Sequence, residues 1–311
     1  MIHVLTTARH SYPVGDYLKS WAGPSHPQVK TLAYETLPTI VPRGTYVFSD
    51  LERLSPAQTA LAGEVWNQLA AAGEGIRLLN DPSRVASRVT LLQRLHEAGR
   101  NQFGVYRATQ RGADPRFPVF VRHAREHEGS FTGLLRDQAE VDHAILRLLW
   151  SGVEADDILI VEFCDTSSDG IFRKYSAFRV GDRIVPRHVI FSTKWVLKVP
   201  DLLDASKIEE ERAYLESNPH EQELRDLFDF ARIDYGRMDY GVLGGRIQVW
   251  EINSNPIVML PRDRYARQHL PTQELFAARI RQAFEKIDSP GPGQPMVPLN
   301  LIECARRLRD T

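Results

Sequence analysis

Four polar residues, Arg237, Asp239, Glu251 and Asn253, flank the paired glycines of "GRMDYGVLGGRIQVWEINSNP" (236–256). β-rich segments on both sides of Gly244-Gly245 read as a hairpin. A three-residue loop, Gly244 to Arg246, sets Val242 opposite Gln248 and Asp239 opposite Glu251. Directly opposed residues share a face, as do residues two apart on one strand. Asp239, Glu251 and Asn253 then converge, with Arg237 across from Asn253. A two-residue loop sets Trp250 opposite Asp239 instead and breaks the set. Two carboxylates and an amide oxygen make a hard site of the kind Mg²⁺ occupies together with ligand phosphates and water. The competing reading is a solvated sheet face on which Arg237 offsets Glu251.

A second stretch, "VFVRHAREHEGSFTG" (119–133), contains His123-Ala124-Arg125-Glu126-His127, which fits the H-x-x-E-H pattern of zinc peptidases. That pattern needs a helix, where i, i+4 spacing aligns both imidazoles. Here "FPVFV" before it is β-rich, and Gly129-Ser130 after it breaks helices. Strand, basic residue and glycine-containing loop is the better description.

Elements of both kinds are needed to position these groups. "IHVLTT" (2–7), "VKTLAYETL" (29–37), "TYVFSD" (45–50) and "IRLLND" (76–81) read as strands. Between the last two lies a helix with Ser55 as N-cap, Pro56 in its first turn and Leu61, Val65, Trp66 and Leu69 as its apolar stripe. This alternation predicts a small parallel α/β layer. Residues 81–99 read as a helix with Arg84 and Arg88 on one face, ended by Gly99. Further helices are expected over about 133–150, within 206–232 and near 272–287. Residues 156–166 form an apolar strand, and 171–199 form antiparallel strands turning at Gly181-Asp182. Ser289 to Pro298 reads as a Pro/Gly linker.

With 39 basic and 40 acidic side chains the net charge is −1, so no electrostatic footprint for nucleic acid or an anionic membrane appears. Two cysteines, Cys164 and Cys304, make neither a disulfide framework nor a metal-ligand spacing. A reducing, cytoplasmic setting is expected, with no signal peptide and no membrane span.

The hairpin resembles the metal-binding hairpin of the ATP-grasp superfamily, which includes D-alanine–D-alanine ligases and ribosomal-protein glutamate ligases. Asp239, Glu251 and Asn253 match its ligands, and "GRMD" (236–239) matches the residues before its turn. "FPVFVRHAREHEGSFTG" resembles the strand and loop that close over the nucleotide phosphates. Glu128, Gly129, Ser130 and Gly133 match the loop, while Arg122 stands where the family has lysine. Arg88, with Arg84 as the alternative, replaces an earlier family lysine. Arginine keeps the charge and binds phosphate bidentately, but it is bulkier and differently shaped. "ILIVEFCD" (158–165) resembles the adenine-receiving strand, with Glu162 and the Cys164 backbone on the base and Asp165 or Asp169 on the ribose. Among the basic residues of 171–199, Arg173, Lys174, Arg187, Lys194 and Lys198 are candidates. Arg187 stands out, because alternation places it on the face of Val185 and Val189.

The resemblance covers about residues 80 to 290 and implies α/β and α+β parts arranged as an ATP-grasp fold. Its divisions are an N-terminal α/β domain (1–100), a lid subdomain (101–165), a C-terminal catalytic domain built on an antiparallel sheet (166–290), and a linker and tail (291–311). It also implies a carboxylate–amine ligase using ATP and Mg²⁺ through an acyl phosphate, with small-molecule acid and amine substrates, an amino acid or peptide among them. Arg237 and Arg187 would act at the reacting groups. The rival readings are a small-molecule kinase and an ATP-binding protein that has lost turnover, which the two Arg-for-Lys changes favour.

Overall fold

A computed structural model describes residues 1–24, 26–110, 112, 114–124, 129–197, 200–289, 296–302 and 306. The chain starts with β1 (Ile2–Thr6), α1 (Tyr12–Ser20), β2 (Val29–Ala33), β3 (Ile40–Val41), β4 (Gly44–Phe48), α2 (Pro56–Ala71) and β5 (Ile76–Leu79). Strands β2-β1-β4-β5 form one parallel sheet in that order. The expected helix at α2 forms with its cap: Ser55 accepts from the Gln58 amide, and the Gln58 side chain returns to the Ser55 amide. Such a reciprocal pair satisfies two donors that a helix start otherwise leaves open.

The helix expected over 81–99 is shorter. α3 spans Arg88–Glu97, with Ser87 as the N-cap accepting from Thr90. Residues 81–87 fold as turns because Asp81 accepts from both the Ser83 amide and hydroxyl, an Asx turn that competes with helix. Arg84 is therefore exposed outside the helix, and the expected Arg84/Arg88 face does not exist.

Next come β6 (Val105–Arg107), β7 (Val119–His123), α4 (Gln138–Trp150) and β8 (Ile158–Glu162). The antiparallel order is β6-β8-β7. Every residue of β8 is buried because both its faces are covered. Ile158 and Ile160 pack towards α4, whereas Leu159 and Val161 join the core beneath α3 and the hairpin. The C-terminal sheet comprises β9 (Phe172–Val180), β10 (Arg183–Ser192), β11 (Tyr235–Leu243) and β12 (Arg246–Asn253), in the order β10-β9-β11-β12. Helices α5 (Ala205–Ser217), α6 (Glu221–Ala231) and α7 (Leu270–Ile287) accompany it.

Two features lock these layers together. One core joins Ile2, Val4 and Val47 of the parallel sheet to Phe178, Phe276 and Phe284. At its edge the buried Asn80 amide bonds four backbone groups: it donates to Phe48 and Tyr235 carbonyls and accepts from the Asp234 and Tyr235 amides. The expected linker ends in β13 (Val297–Pro298), which pairs with β3. No helix among the described residues is long and apolar enough to cross a membrane.

Candidate functional site

The hairpin sets the register of the site by a route different from the expected one. Its loop has two residues, Gly244 and Gly245, since Leu243 pairs with Arg246 and Val242 with Ile247. Both glycines have positive φ (57° and 77°), as a tight turn matching strand twist requires. That loop alone would put Trp250 opposite Asp239. A β-bulge at Trp250 absorbs one residue, so Asp239 pairs with Glu251 and Arg237 with Asn253 after all. Gly241 makes room for the bulged ring: a Cβ there would lie 2.7 Å from Trp250 Cζ2 and 2.9 Å from Thr166.

Asp239 is almost wholly buried and heavily bonded. Arg237 holds it bidentately, Nε at 2.8 Å and Nη2 at 3.1 Å, and Lys174 Nζ stands 3.8 Å away. Burial opposes the Arg237 charge, but the adjacent Asp239 carboxylate raises its pKa above the ordinary value. The Ser176 hydroxyl donates to Asp239 at 2.7 Å and contacts His188 Nε2 at 2.9 Å. One hydroxyl has one proton, so His188 must be the donor to Ser176. Burial first, then the Arg187, Arg237 and Lys174 charges, keep His188 far below its usual pKa and therefore neutral.

Glu251 draws the two sequence-identified arginines together. Arg88 Nη2 lies 2.9 Å and Arg122 Nη2 3.9 Å from the same oxygen, Oε2. Burial, with the Arg88 charge beside it, brings Arg122 down to about 10, and Glu251 offsets part of this. The Asn253 amide donates to Glu251 Oε1 at 3.3 Å. Among the described residues four cations thus stand around two carboxylates. The donor set of Asp239, Glu251 and Asn253 fits a magnesium ion that shares its coordination with phosphate.

Of these groups Arg88, Arg122, Lys174, Asp239 and Glu251 line a cavity of about 200 Å³ between the β6-β8-β7 sheet and the hairpin, whereas Arg237 and Asn253 are not on its wall. Gly129 and Ser130 border it because the loop after β7 folds back: Ser130 bridges Arg122, and the Phe131 amide donates to Val121. Gly129 has φ 100°, a conformation side chains resist. Glu126, His127, Glu128 and Lys198 lie outside the described residues. The cavity is also walled by Phe120, Phe163, Phe172 and Trp195, with Trp195 packed 4.9 Å from Phe120 and 5.9 Å from Phe163 between ring centres.

Glu162 and Cys164 line the cavity, whereas Asp169 and Arg187 do not. The Glu162 carboxylate is occupied within the lid, accepting from the Gly104 amide, the Tyr106 hydroxyl, and the Arg116 amide and guanidinium. Burial pushes its pKa up, but these bonds outweigh it and hold the carboxyl below its ordinary value. Cys164 borders the cavity, and burial pushes its thiol up to about 11, which disfavours the thiolate. Asp169 lies on an exposed turn and is not part of the cavity wall. Arg187 is buried behind the site, with Nε donating to the Val258 carbonyl, Nη1 to Gln273 and Nη2 to the Tyr265 hydroxyl. Its guanidinium also lies 4.5 Å over the Phe276 ring. Phe276 packs in the same core as Val185 and Val189, the face on which strand alternation places Arg187.

Sequence reading missed Ser176, Trp195 and Asn101. Asn101 acts as a strand mimic, donating to the Val249 carbonyl and accepting from its amide, both at 2.9 Å, and so ties the lid to the hairpin. None carries a local motif, and each is identified only by its partners across the fold.

No family model matches the sequence, and no curated protein does. Among solved structures, the chain is similar to a RimK domain ATP-grasp protein from Sphaerobacter thermophilus, at 13% identity over 91% of this chain and 99% of that one, TM-score 0.50. It also aligns with a D-alanine–D-alanine ligase from Bacillus anthracis complexed with ATP, at 11% identity over 91% and 99%, TM-score 0.45. An L-amino acid ligase from Bacillus licheniformis aligns at 11% over 91% and 75%, TM-score 0.45. The chain has the ATP-grasp fold.

Proposed function

We propose that the protein is an ATP-dependent ligase that joins a carboxylate to an amine through an acyl phosphate, releasing ADP and phosphate. The observation that carries this reading is the meeting of Arg88, Arg122, Lys174, Asp239 and Glu251 on the wall of a cleft also lined by Phe120, Phe163, Phe172 and Trp195, with Arg237 paired to Asp239. Adenine lies among Phe120, Phe163 and Trp195, with the Cys164 backbone beside it. The triphosphate runs towards the arginines beneath Gly129 and Ser130.

The first step is transfer of the γ-phosphoryl group to a carboxylate oxygen, with ADP as the leaving group. Its main obstacle is repulsion between anions, and preorganised cations in a cleft of low dielectric lower that barrier. Arg88 and Arg122 exchange Glu251 for phosphate oxygens. Asp239, Glu251 and Asn253 would hold Mg²⁺, which would neutralise charge on the phosphates. In the second step the amine attacks the acyl carbon, phosphate departs and the nitrogen loses a proton to solvent. Arg237 stabilises the oxygen that becomes negative in the adduct. Arg187 positions the loop and helix at 258–273 rather than touching substrate. The loop at 129–133 excludes water, which otherwise hydrolyses the acyl phosphate.

Hydroxylamine trapping tests this directly. With Mg·ATP and pooled carboxylic acids, hydroxamate should accumulate together with ADP in equal amounts. ADP formation that leaves a stable phosphorylated product and no hydroxamate would refute ligation.

A further inference from the structure

Helix α4 has two apolar faces, and the described residues cover one of them. Val141, Ala144, Ile145 and Leu148 pack against Ile158 and Ile160 of β8. Leu159 and Val161, which alternate with those isoleucines, line the cavity that holds Arg88 and Asp239, so α4 lies on the back of the sheet. The outer face of α4 is open: Trp150 is 85% exposed, Leu146 53% and Leu149 43%. A solvated helix face is ordinarily polar, so three large apolar side chains on one short helix call for a partner surface.

The spacing along that face identifies the partner. Ala139, His143, Leu146 and Trp150 recur at intervals of four, three and four residues, the repeat of about 3.5 by which two helices interlock side by side. The line runs from a small residue to the largest one. In a twofold antiparallel pair Trp150 lies over the partner's Ala139, and Leu146 beside the partner's His143, so the largest side chain meets the smallest. A parallel pair would set Trp150 on Trp150 and leave Ala139 facing Ala139. Antiparallel packing also sets each flank of the line against the same flank of the second copy. Glu140 then stands beside the partner's Arg147, and symmetry makes that ion pair twice. Only Oε2 of Glu140 is engaged, by the Arg136 amide at 2.7 Å, and the Arg147 guanidinium has no partner among the described residues. Asp142, on the other flank, already accepts from Gln138 of its own helix at 2.7 Å.

We propose that the outer face of α4 is a self-association surface on which a second copy of this chain packs as a twofold antiparallel helix pair. The two β6-β8-β7 sheets then stand back to back, with each cavity on the far side of its own sheet. A single helix pair lies at the small end of specific interfaces, so a dissociation constant on the order of 10 µM is expected. The proposal stands apart from the ligase reading, because α4 contributes no residue to the cavity wall.

Sedimentation velocity of the full chain from about 1 to about 100 µM tests this, with thermal melts alongside. Wild type should show a reversible monomer–dimer equilibrium. Trp150→Glu and Leu146→Glu should be monomeric throughout, at an unchanged melting point because both side chains are exposed. Arg147→Glu sets like charges against the partner's Glu140 and should weaken the dimer about tenfold. Adding Glu140→Gln removes that repulsion, keeps an acceptor for the Arg136 amide and should recover most of the loss. Monomeric wild type over the whole range overturns the proposal, including the case in which it binds phosphatidylcholine vesicles through Trp150 and the face serves a lipid surface. A dimer that survives Trp150→Glu overturns the location. Open-ended assembly in place of a dimer overturns the twofold closure. Recovery of Arg147→Glu by Asp142→Asn rather than by Glu140→Gln overturns the antiparallel arrangement.

Discussion

Replacing Glu162 by glutamine separates two jobs that its position allows. The wild-type carboxylate takes the Gly104 amide on Oε2 and the Arg116 amide on Oε1, both at 2.9 Å. Whichever way the substituted side chain turns, its NH₂ faces one of these two backbone donors. A hydrogen bond to a charged group is worth about 1.5–3 kcal/mol, and an abandoned buried donor costs about as much again. The Arg116 side chain is 68% exposed, so its ion pair adds at most about 1 kcal/mol. Together these give a loss of about 3–7 kcal/mol, concentrated around β6 and β8. Amide hydrogen exchange at Gly104 and Arg116 should speed up accordingly, and the urea midpoint of the lid should fall. The pH dependence follows from the lowered carboxyl: its contribution is present above the ordinary value of 4.5 and is lost as pH falls through the lower folded-state value. Glu162→Gln should flatten that acid limb. Unchanged exchange and stability, with ATP binding weakened instead, would mean that the carboxylate serves the base and not the lid.

Two further perturbations probe the frame. His3 is buried and stacked on Tyr46, and burial first, then the N-terminus and Lys30, lower its pKa to about 4. Unfolding lets it take up a proton, so stability should fall as pH drops from 6.5 towards 4, by up to about 3 kcal/mol; His3→Phe should remove that slope in urea melts, and a slope that persists would exclude His3 as its source. Asn80→Ala strands four buried backbone groups where the parallel and antiparallel sheets meet, and should cost about 3–5 kcal/mol by urea denaturation, against under 1 kcal/mol if water enters and satisfies them.

The parallel layer and the paired strands were legible because their signals are local: alternation of strand and helix, the Ser55 cap, and glycine-bearing turns. The carboxylate pairing was legible only conditionally. Asp239 and Glu251 meet because a two-residue turn and a bulge at Trp250 compensate one another, and no local rule marks a bulge whose cause is the space above Gly241. Helix α3 starts late because Asp81 captures Ser83, a short-range competition that apolar periodicity does not register. Arg187 was singled out as a charge on an apolar face, and Glu162 by its match to the adenine-receiving strand of the family it resembles. Their partners at 258–273 and 104–116 are distant in sequence, so only the fold identifies them.

The measurement that bears most directly on the central claim is calorimetric titration of ATP, with and without magnesium, into wild type, Glu251→Gln and Asp239→Asn. Wild type should bind at least tenfold more tightly when magnesium accompanies the nucleotide. Each variant should lose that gain, while still binding ATP through Arg88 and Arg122 without magnesium dependence. Equal Mg·ATP affinity in all three proteins, or magnesium-independent binding by wild type, would contradict the assignment of the hairpin carboxylates to the nucleotide site.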